Sequence, residues 1–330
     1  MLIFVVRLLI GSLLHFLQWI DTLAQFNLEF SYTSLLFPLA LLLAMGMLIF
    51  LPLKTFFPAA FIIGAAAIFP AYPRLKLGDA RIDVLDVGQG LAVVVTTAQH
   101  VLVYDTGMKF YKGGDMGQLA IITYLKTLGL KKIDKVVISH PDLDHRGGLV
   151  SLEEKYPVDE LLVDKPQFYK RGKSCHYHKA WRWDGVSFRF FSIHKDFQDK
   201  NNNSCVLRVS NRSGSLLLTG DIEKKAEEFL VKHYGNHLQS TVLLVPHHGS
   251  KTSTSSEFLN QVKPKEAIIS FGFDNRYHFP HTQTLTILAA HQIKVYDTVS
   301  CGMVTVELLN QEKNMSTFCY RKKENKGVFF

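Results

Sequence analysis

Four potential metal ligands crowd into six residues of this chain, in the run His140-Pro141-Asp142-Leu143-Asp144-His145-Arg146-Gly147-Gly148. The apolar residues Val136, Val137 and Ile138 directly precede it and read as a short buried strand. The ligands therefore stand at a strand end, where a glycine-assisted turn begins. His140 and Asp142 lie two apart in extended backbone, so they point the same way and can reach one ion. Asp144 and His145 follow the turn and can serve a second. Two divalent ions about 3.5–4 Å apart polarise a phosphodiester and make hydroxide from water near neutral pH. A solvated turn has no use for two histidines and two aspartates packed with paired glycines.

Charge is divided sharply along the chain. Residues 1–73 hold four charged side chains (Arg7, Asp21, Glu29 and Lys54), and the net charge of +8 falls almost wholly beyond them. Residues 2–20 are apolar apart from Arg7, with His15 and Gln18 towards the end. Residues 34–53 form an uncharged run long enough to cross the ~30 Å hydrocarbon core of a bilayer. Residues 55–72 form another, broken by Pro58 and Pro70 and carrying Gly64 beside three alanines, small residues that permit close helix contact in lipid. The expectation is a membrane region over 1–73 with two or three transmembrane helices, then a soluble domain over 74–330. A cleaved signal peptide is disfavoured, because the apolar segment recurs and no small-residue cleavage site follows the first. Lys54 flanks one side and Arg74, Lys76 and Arg81 the other, so the charges do not orient the spans.

Pro70, Pro73 and Gly78 mark the linker. Beyond it the pattern predicts strands at 81–87, 91–96 and 101–104, a helix over 117–128, and the strand leading to His140. Strands at 161–163, 186–191, 205–209, 215–219, 241–245, 267–271 and 293–296 follow, with helices at 223–234, 255–262 and 283–291. Alternating elements with apolar strands argue for an α/β sandwich, two sheets with helices outside. Cys175, Cys205, Cys301 and Cys319 have no CxxC spacing, so neither a zinc ribbon nor a redox dithiol is implied. Buried free thiols are the plain reading. Cys175 and Cys205 can pair if the domain faces an oxidising compartment.

Further motifs surround the ligand run: Asp86-Val87-Gly88-Gln89-Gly90, Tyr104-Asp105-Thr106-Gly107, Leu218-Thr219-Gly220-Asp221 and Val245-Pro246-His247-His248-Gly249-Ser250. In this order they resemble the metallo-β-lactamase superfamily, and within it the C-terminal domain of ComEC-type DNA-uptake proteins, over about residues 80–310. The resemblance implies a metallo-β-lactamase-like αββα sandwich preceded by transmembrane helices. It also implies a place in the competence machinery that admits one DNA strand and degrades the other. Full-length proteins of that type carry a larger channel and a further N-terminal domain; this chain resembles their last helices and C-terminal domain, so the missing channel portion is an expected partner. The expected location is the inner (plasma) membrane, multi-pass, with the domain on the periplasmic, extracytoplasmic side.

The resemblance also distributes roles. Asp221 bridges two ions, where a plain reading makes it the N-cap of the helix at 223–234. His248 joins Asp144, His145 and Asp221 at one site; His140, Asp142 and Asp221 form the other. His247 is left to orient a ligand or touch substrate. Many members carry a further histidine before the bridging aspartate; here Asn201, Asn202, Asn203 and Ser204 stand instead, with Asn203 a candidate ligand or substrate contact. So oxygen-rich a set binds Zn²⁺ less tightly than three histidines would and leans towards Mn²⁺ or Mg²⁺; the expected cofactor is a pair of divalent ions, Mn²⁺ or Zn²⁺, with Mg²⁺ the alternative. Asp105 orients a ligand, and the 86–90 turn is structural. Asp144, His248 and His281 are the candidate catalytic residues. His278 or His281 can donate a proton to the leaving oxygen or hold a phosphate, and a surface loop is the alternative.

Residues 165–183 interleave Lys165, Lys170, Arg171, Lys173, Lys179 and Arg182 with Phe168, Tyr169, Tyr177, Trp181 and Trp183. Charges that track phosphates beside rings that stack bases suit single-stranded DNA. The alternative is a solvated loop whose tryptophans plug the core. Lys170, Arg171, Lys173, Tyr169 and Tyr177 are the DNA-binding candidates. The function expected is a membrane-anchored, metal-dependent DNA phosphodiesterase. Its rivals are a lactonase or β-lactamase type hydrolase using the same ions, and a non-catalytic DNA guide.

Overall fold

The computed structural model describes residues 10–12, 14–15, 36–50, 53–68, 75–195, 197–310 and 314–321. By its internal contacts the chain divides into two units, Met1–Ala71 and Tyr72–Phe330. In the first, the helices Leu36–Phe50 and Leu53–Ile68 pack against each other. Leu39, Leu42, Ile49, Phe61 and Ile62 nevertheless stand exposed. Among the described residues no helix is long and apolar enough to cross a membrane. The spans expected over 34–53 and 55–72 thus appear as helices of 15 and 16 residues. Most of the apolar stretch 2–20 lies outside the described residues.

The second unit is built on two mixed sheets. The chain first lays down β1 (Ala80–Leu85), β2 (Val93–Thr96), β3 (Val101–Tyr104), β4 (Ile133–Ile138), β5 (Val158–Val163) and β6 (Lys173–Ser174). It then crosses to the second sheet for β7 (Trp181–Trp183), β8 (Val186–Phe191), β9 (Val206–Ser210), β10 (Ser215–Leu218), β11 (Val242–Leu244), β12 (Glu266–Ile269) and β13 (Lys294–Asp297). Finally β14 (Met303–Leu309) and β15 (Asn314–Cys319) return to the first sheet, β14 pairing antiparallel with β1. The spatial orders are β15-β14-β1-β2-β3-β4-β5-β6 and β13-β12-β11-β10-β9-β8-β7. From β3 to β6, and from β10 to β13, neighbours run parallel.

Strand β4, in the residues that follow Asp134 and Lys135, shows why the central strands carry consecutive apolar residues. Val137 turns into the core between the sheets, while Val136 and Ile138 turn to the helices on the outer face. In β10, Leu216 and Leu218 face inward and Leu217 outward. Strands covered on both faces need apolar residues at every position. Ile121, Leu125 and Leu152 bring helical segments onto the first sheet; Leu230, Phe258 and Leu288 bring the helices Lys224–Tyr234, Ser256–Val262 and Thr282–Ala290 onto the second. All six are fully buried, so truncating any one to alanine costs roughly 2–5 kcal/mol. The result is an αββα sandwich, as expected.

Three details differ from the sequence reading. The helix expected over 117–128 opens as a π turn, Gly117–Ile122, before becoming α-helical at Thr123–Thr127. Strands β6, β7, β14 and β15 were not foreseen. The cysteines are not the free thiols of the plain reading: Cys175 pairs with Cys205, the bridge the sequence allowed, and Cys301 with Cys319, which it did not suggest.

Candidate metal centre and substrate groove

The centre is assembled where parallel strands of both sheets end, the usual place for ligands in open α/β sheets. Asp105 follows β3, Ser139 and His140 follow β4, Asp221 lies just beyond β10, His247 and His248 beyond β11, and Ser270 follows β12. Asp105 is fully buried and organises its neighbours. Its carboxylate accepts the Ser139 backbone N–H (2.6 Å), the Ser139 hydroxyl (2.7 Å) and His145 Nδ1 (2.7 Å).

Those contacts fix the imidazoles. With Nδ1–H of His145 donated to Asp105, its Nε2 is left as a lone-pair donor. His248 Nδ1 donates likewise to the Ser270 carbonyl at 2.8 Å. Ser139 Oγ, having given its hydrogen to Asp105, can accept from His140 Nδ1 at 3.0 Å. Three Nε2 atoms then converge on one carboxylate oxygen. Asp221 Oδ2 lies 3.3 Å from that of His145, 3.6 Å from His248 and 3.9 Å from His140. Asp144 Oδ2 is 3.7 Å from His248 Nε2.

This donor set fits divalent cations. Nε2 of His145 and of His248 are only 3.3 Å apart, and buried Nε2 of His140 has no hydrogen-bond partner. Protons can satisfy such lone pairs one at a time; a divalent ion satisfies several together. Among the described residues two groups are tight enough to hold one, His140–His145–Asp221 and Asp144–His145–His248. A single Nε2 serves one ion, so His145 belongs to one of them and Asp221 stands within reach of both. The charges tell the same story. Burial would raise Asp221, but His145, His248 and His140 outweigh it and hold it well below the ordinary carboxylate range. Burial likewise works against Asp144, and His248 and His145 keep it at about 2. Burial pushes His145 down, yet Asp221 and Asp105 carry it well above its ordinary value.

Asp142 stands apart. It lies 3.7 Å from His140 Nε2 but belongs to neither tight group, and its other oxygen pairs with Lys200 Nζ at 2.5 Å. His140, then Lys200, hold its carboxyl below the usual range. His247 is at the edge, 20% exposed, with Nε2 3.8 Å from Asp221 and Nδ1 3.3 Å from Glu223. The turn before β2 also has a part in the site. Gly90, at φ +135°, lets the backbone approach so closely that a Cβ would stand 2.4 Å from the Asp144 carbonyl, which Leu91 N–H bonds at 3.1 Å.

Several expected residues are elsewhere. Asn203 is not in the site: its amide is spent on the backbone of Phe197 and Asp199, locking the 197–203 loop. His281 packs against Phe279, and it is Phe279 whose ring meets His247 and His248, at 5.7 and 6.2 Å. His278 is exposed on the same loop, at φ 56°. The basic stretch does not form a continuous phosphate track. Arg171 pairs with Glu153 and Lys173 with Glu160. Tyr169 packs against the outer core with its hydroxyl buried. Trp181 stacks on Phe188 and Trp183 packs edge-on against it, so both belong to the structural half. Lys170 and Tyr177 remain exposed.

The cations that reach the centre are others. A groove of about 610 Å³ holds Asp142 and Asp144, and Lys109, Arg146, Lys200 and Arg276 line it together with Phe168 and Tyr277. The sequence reading missed its four basic residues. Arg146 sits inside the ligand run, and Arg276 lies two residues before His278, which it singled out.

Residues 85–272 match the family model of the metallo-β-lactamase superfamily. The chain belongs to that superfamily. Its curated relatives are of ComEC type. It is 37% identical over 293 residues to "Competence protein ComA" of Neisseria gonorrhoeae, covering 88% of this chain and 41% of that protein. It is 31% identical to "ComE operon protein 3" of Bacillus subtilis over 276 residues, 75% of this chain and 35% of that one. The chain thus spans less than half the length of these relatives. Among solved structures, the metallo hydrolase Igni18 of Ignicoccus hospitalis aligns at a TM-score of 0.43 with 15% identity, over 66% of this chain and 94% of that one.

Proposed function

We propose that this chain is a metal-dependent phosphodiesterase that hydrolyses DNA, anchored in the membrane by its apolar N-terminal region and working in competence-linked DNA uptake. The observation that carries the reading is the groove. Two candidate ligand carboxylates, Asp142 and Asp144, share it with Lys109, Arg146, Lys200 and Arg276. Four cations beside a metal centre suit a polyanion threaded past it; a lactone or β-lactam has no use for them. The competence relatives support the same substrate. Membrane anchoring is supported by the outward apolar side chains of the helices Leu36–Phe50 and Leu53–Ile68, in a stretch whose one charged residue is Lys54.

Asp144, His145 and His248 would hold one divalent ion and His140 with Asp221 a second, Asp142 contributing where it exchanges Lys200 for the metal. The histidines of the set suit Zn²⁺ and its carboxylates Mn²⁺ or Mg²⁺. Ions held there supply Lewis-acid polarisation of the phosphoryl group and lower the pKa of water. The chain's own residues do the rest. Asp105 and the Ser270 carbonyl keep His145 and His248 in their ligand tautomers. Lys200 and Arg146 hold the phosphate and offset its charge. His247, with Nδ1 on Glu223, presents Nε2 at the open edge, where it can pass a proton to the leaving oxygen.

The test is to incubate the purified full chain with labelled DNA, nitrocefin and a lactone in Mg²⁺, Mn²⁺ or Zn²⁺. Metal-stimulated DNA cleavage that Asp221→Ala and Asp144→Ala abolish is the expected result. Hydrolysis of lactone or nitrocefin with DNA left intact would overturn the reading.

A further inference from the structure

We propose that Phe168 and Tyr277 form a two-sided base-stacking clamp, so that the groove accepts an unpaired DNA strand and excludes the duplex. This deepens, and rests on, the phosphodiesterase reading. The two rings come from distant loops, one after β5 and one after β12, yet line the same cavity as Asp142 and Asp144. Phe168 is 53% exposed and Tyr277 43%. A large ring left in solvent at the mouth of a charged site contributes little to folding, so its position calls for a partner.

Each ring is braced from behind. Phe168 meets the half-buried ring of Tyr169 edge-on at 5.0 Å, and Tyr169 is rooted in the core. Tyr277 stacks on Phe279 at 5.4 Å, and Phe279 packs against the two histidines of the centre. Asn275 ties that loop by bonding Gly272 and Phe279. The platforms are thus held in place before any ligand arrives, which lowers the ordering cost of binding.

Each ring also carries an arginine. The Arg146 guanidinium lies 5.2 Å from the Phe168 centroid, fixed by a 2.6 Å bond from its Nε to the Pro141 carbonyl. That of Arg276 lies 4.7 Å from the Tyr277 centroid. Each guanidinium lies over a ring face, so a base that stacks there displaces it towards the neighbouring phosphate of the same strand. In a duplex the base faces are covered by their neighbours, so neither ring can reach one.

The test uses the full chain in detergent, a short fluorescent oligothymidine strand and a hairpin duplex, with binding read by anisotropy in the Asp221→Ala background. Phe168→Ala and Tyr277→Ala should each weaken single-strand affinity about 5- to 100-fold, with the salt slope unchanged. Phe168→Tyr and Tyr277→Phe should restore it. Arg146→Ala should instead flatten the dependence of log K on log salt by roughly 0.7. Tyr111→Ala, fully exposed and outside the groove lining, should bind as the parent does. Unchanged single-strand affinity in both alanine variants, or parent affinity for duplex equal to that for single strand, overturns the clamp while leaving the phosphodiesterase reading in place. Wild-type protein that neither binds nor cleaves any DNA overturns both.

Discussion

Asp105 accepts three hydrogen bonds and thereby decides what the imidazole of His145 can do. The same kind of control operates at His176, outside the centre. Its Nε2 donates to the Asn203 carbonyl at 3.0 Å and its Nδ1 accepts the Ile193 N–H at 3.3 Å, so the fold requires the neutral ring. Burial lowers its pKa from 6.5 to about 4. Between those values the unfolded chain binds more protons than the folded one, so this residue makes stability rise with pH. The contribution is full above about pH 6.5 and is lost as pH falls through 4, at most about 3 kcal/mol. Asp164, raised by burial to about 6, works in the opposite sense, its stability contribution falling as pH rises from 3.8 to 6. Replacing His176 by glutamine should therefore leave the Asp164 trend exposed. In urea titrations from pH 4 to 7 the variant's stability should fall with rising pH relative to the parent's, in which the two trends offset each other; identical pH profiles would rule out a buried neutral His176.

At the scale of elements, much of the architecture could be read from period and turn chemistry. β8 and β3 were placed at their observed bounds, β8 by the alternation of Val186, Phe188 and Phe190 with Ser187 and Arg189, and β3 by its wholly apolar run. β14 and β15 were missed, since β15 is an edge strand of mixed polarity, Asn314-Met315-Ser316-Thr317-Phe318-Cys319, with little local signal. The ligand run was plain because its donors are adjacent in sequence. The groove was not, since it gathers Lys109, Arg146, Lys200 and Arg276 from four segments far apart in sequence. Arg171 and Lys173 misled for the converse reason: their partners Glu153 and Glu160 are 18 and 13 residues away. The basic loop is instead fastened by Cys175–Cys205, which closes 30 residues and ends beside Ser204, whose hydroxyl accepts the Asp221 N–H. Opening that loop should cost about 2–4 kcal/mol. A Cys175→Ser, Cys205→Ser double variant should melt lower than the parent, and reductant, which also opens Cys301–Cys319, should bring the two midpoints together; an unchanged midpoint without reductant would mean the bridge adds nothing.

For the molecule as a whole, the centre is a joint between the two sheets. His140, Asp144 and His145 arise from the first sheet's strand ends, while Asp221 and His248 arise from the second. Without positive charge between them, Asp221 and Asp144 face each other across buried histidines, and the like charges oppose closure. A divalent ion bound by both sides stabilises the folded state by mass action, about 2.7 kcal/mol at a hundredfold excess over its dissociation constant. For a domain of this size that corresponds to a midpoint shift of about 5–10 °C. Adding Mn²⁺ or Zn²⁺ to chelator-treated protein should raise the melting midpoint by that amount. His248→Ala, which keeps the carboxylates but removes a ligand, should lose most of the shift whether or not any substrate is present. An equal shift in parent and variant would place the ion away from His248, and the absence of a shift with either metal would dismiss the joint altogether.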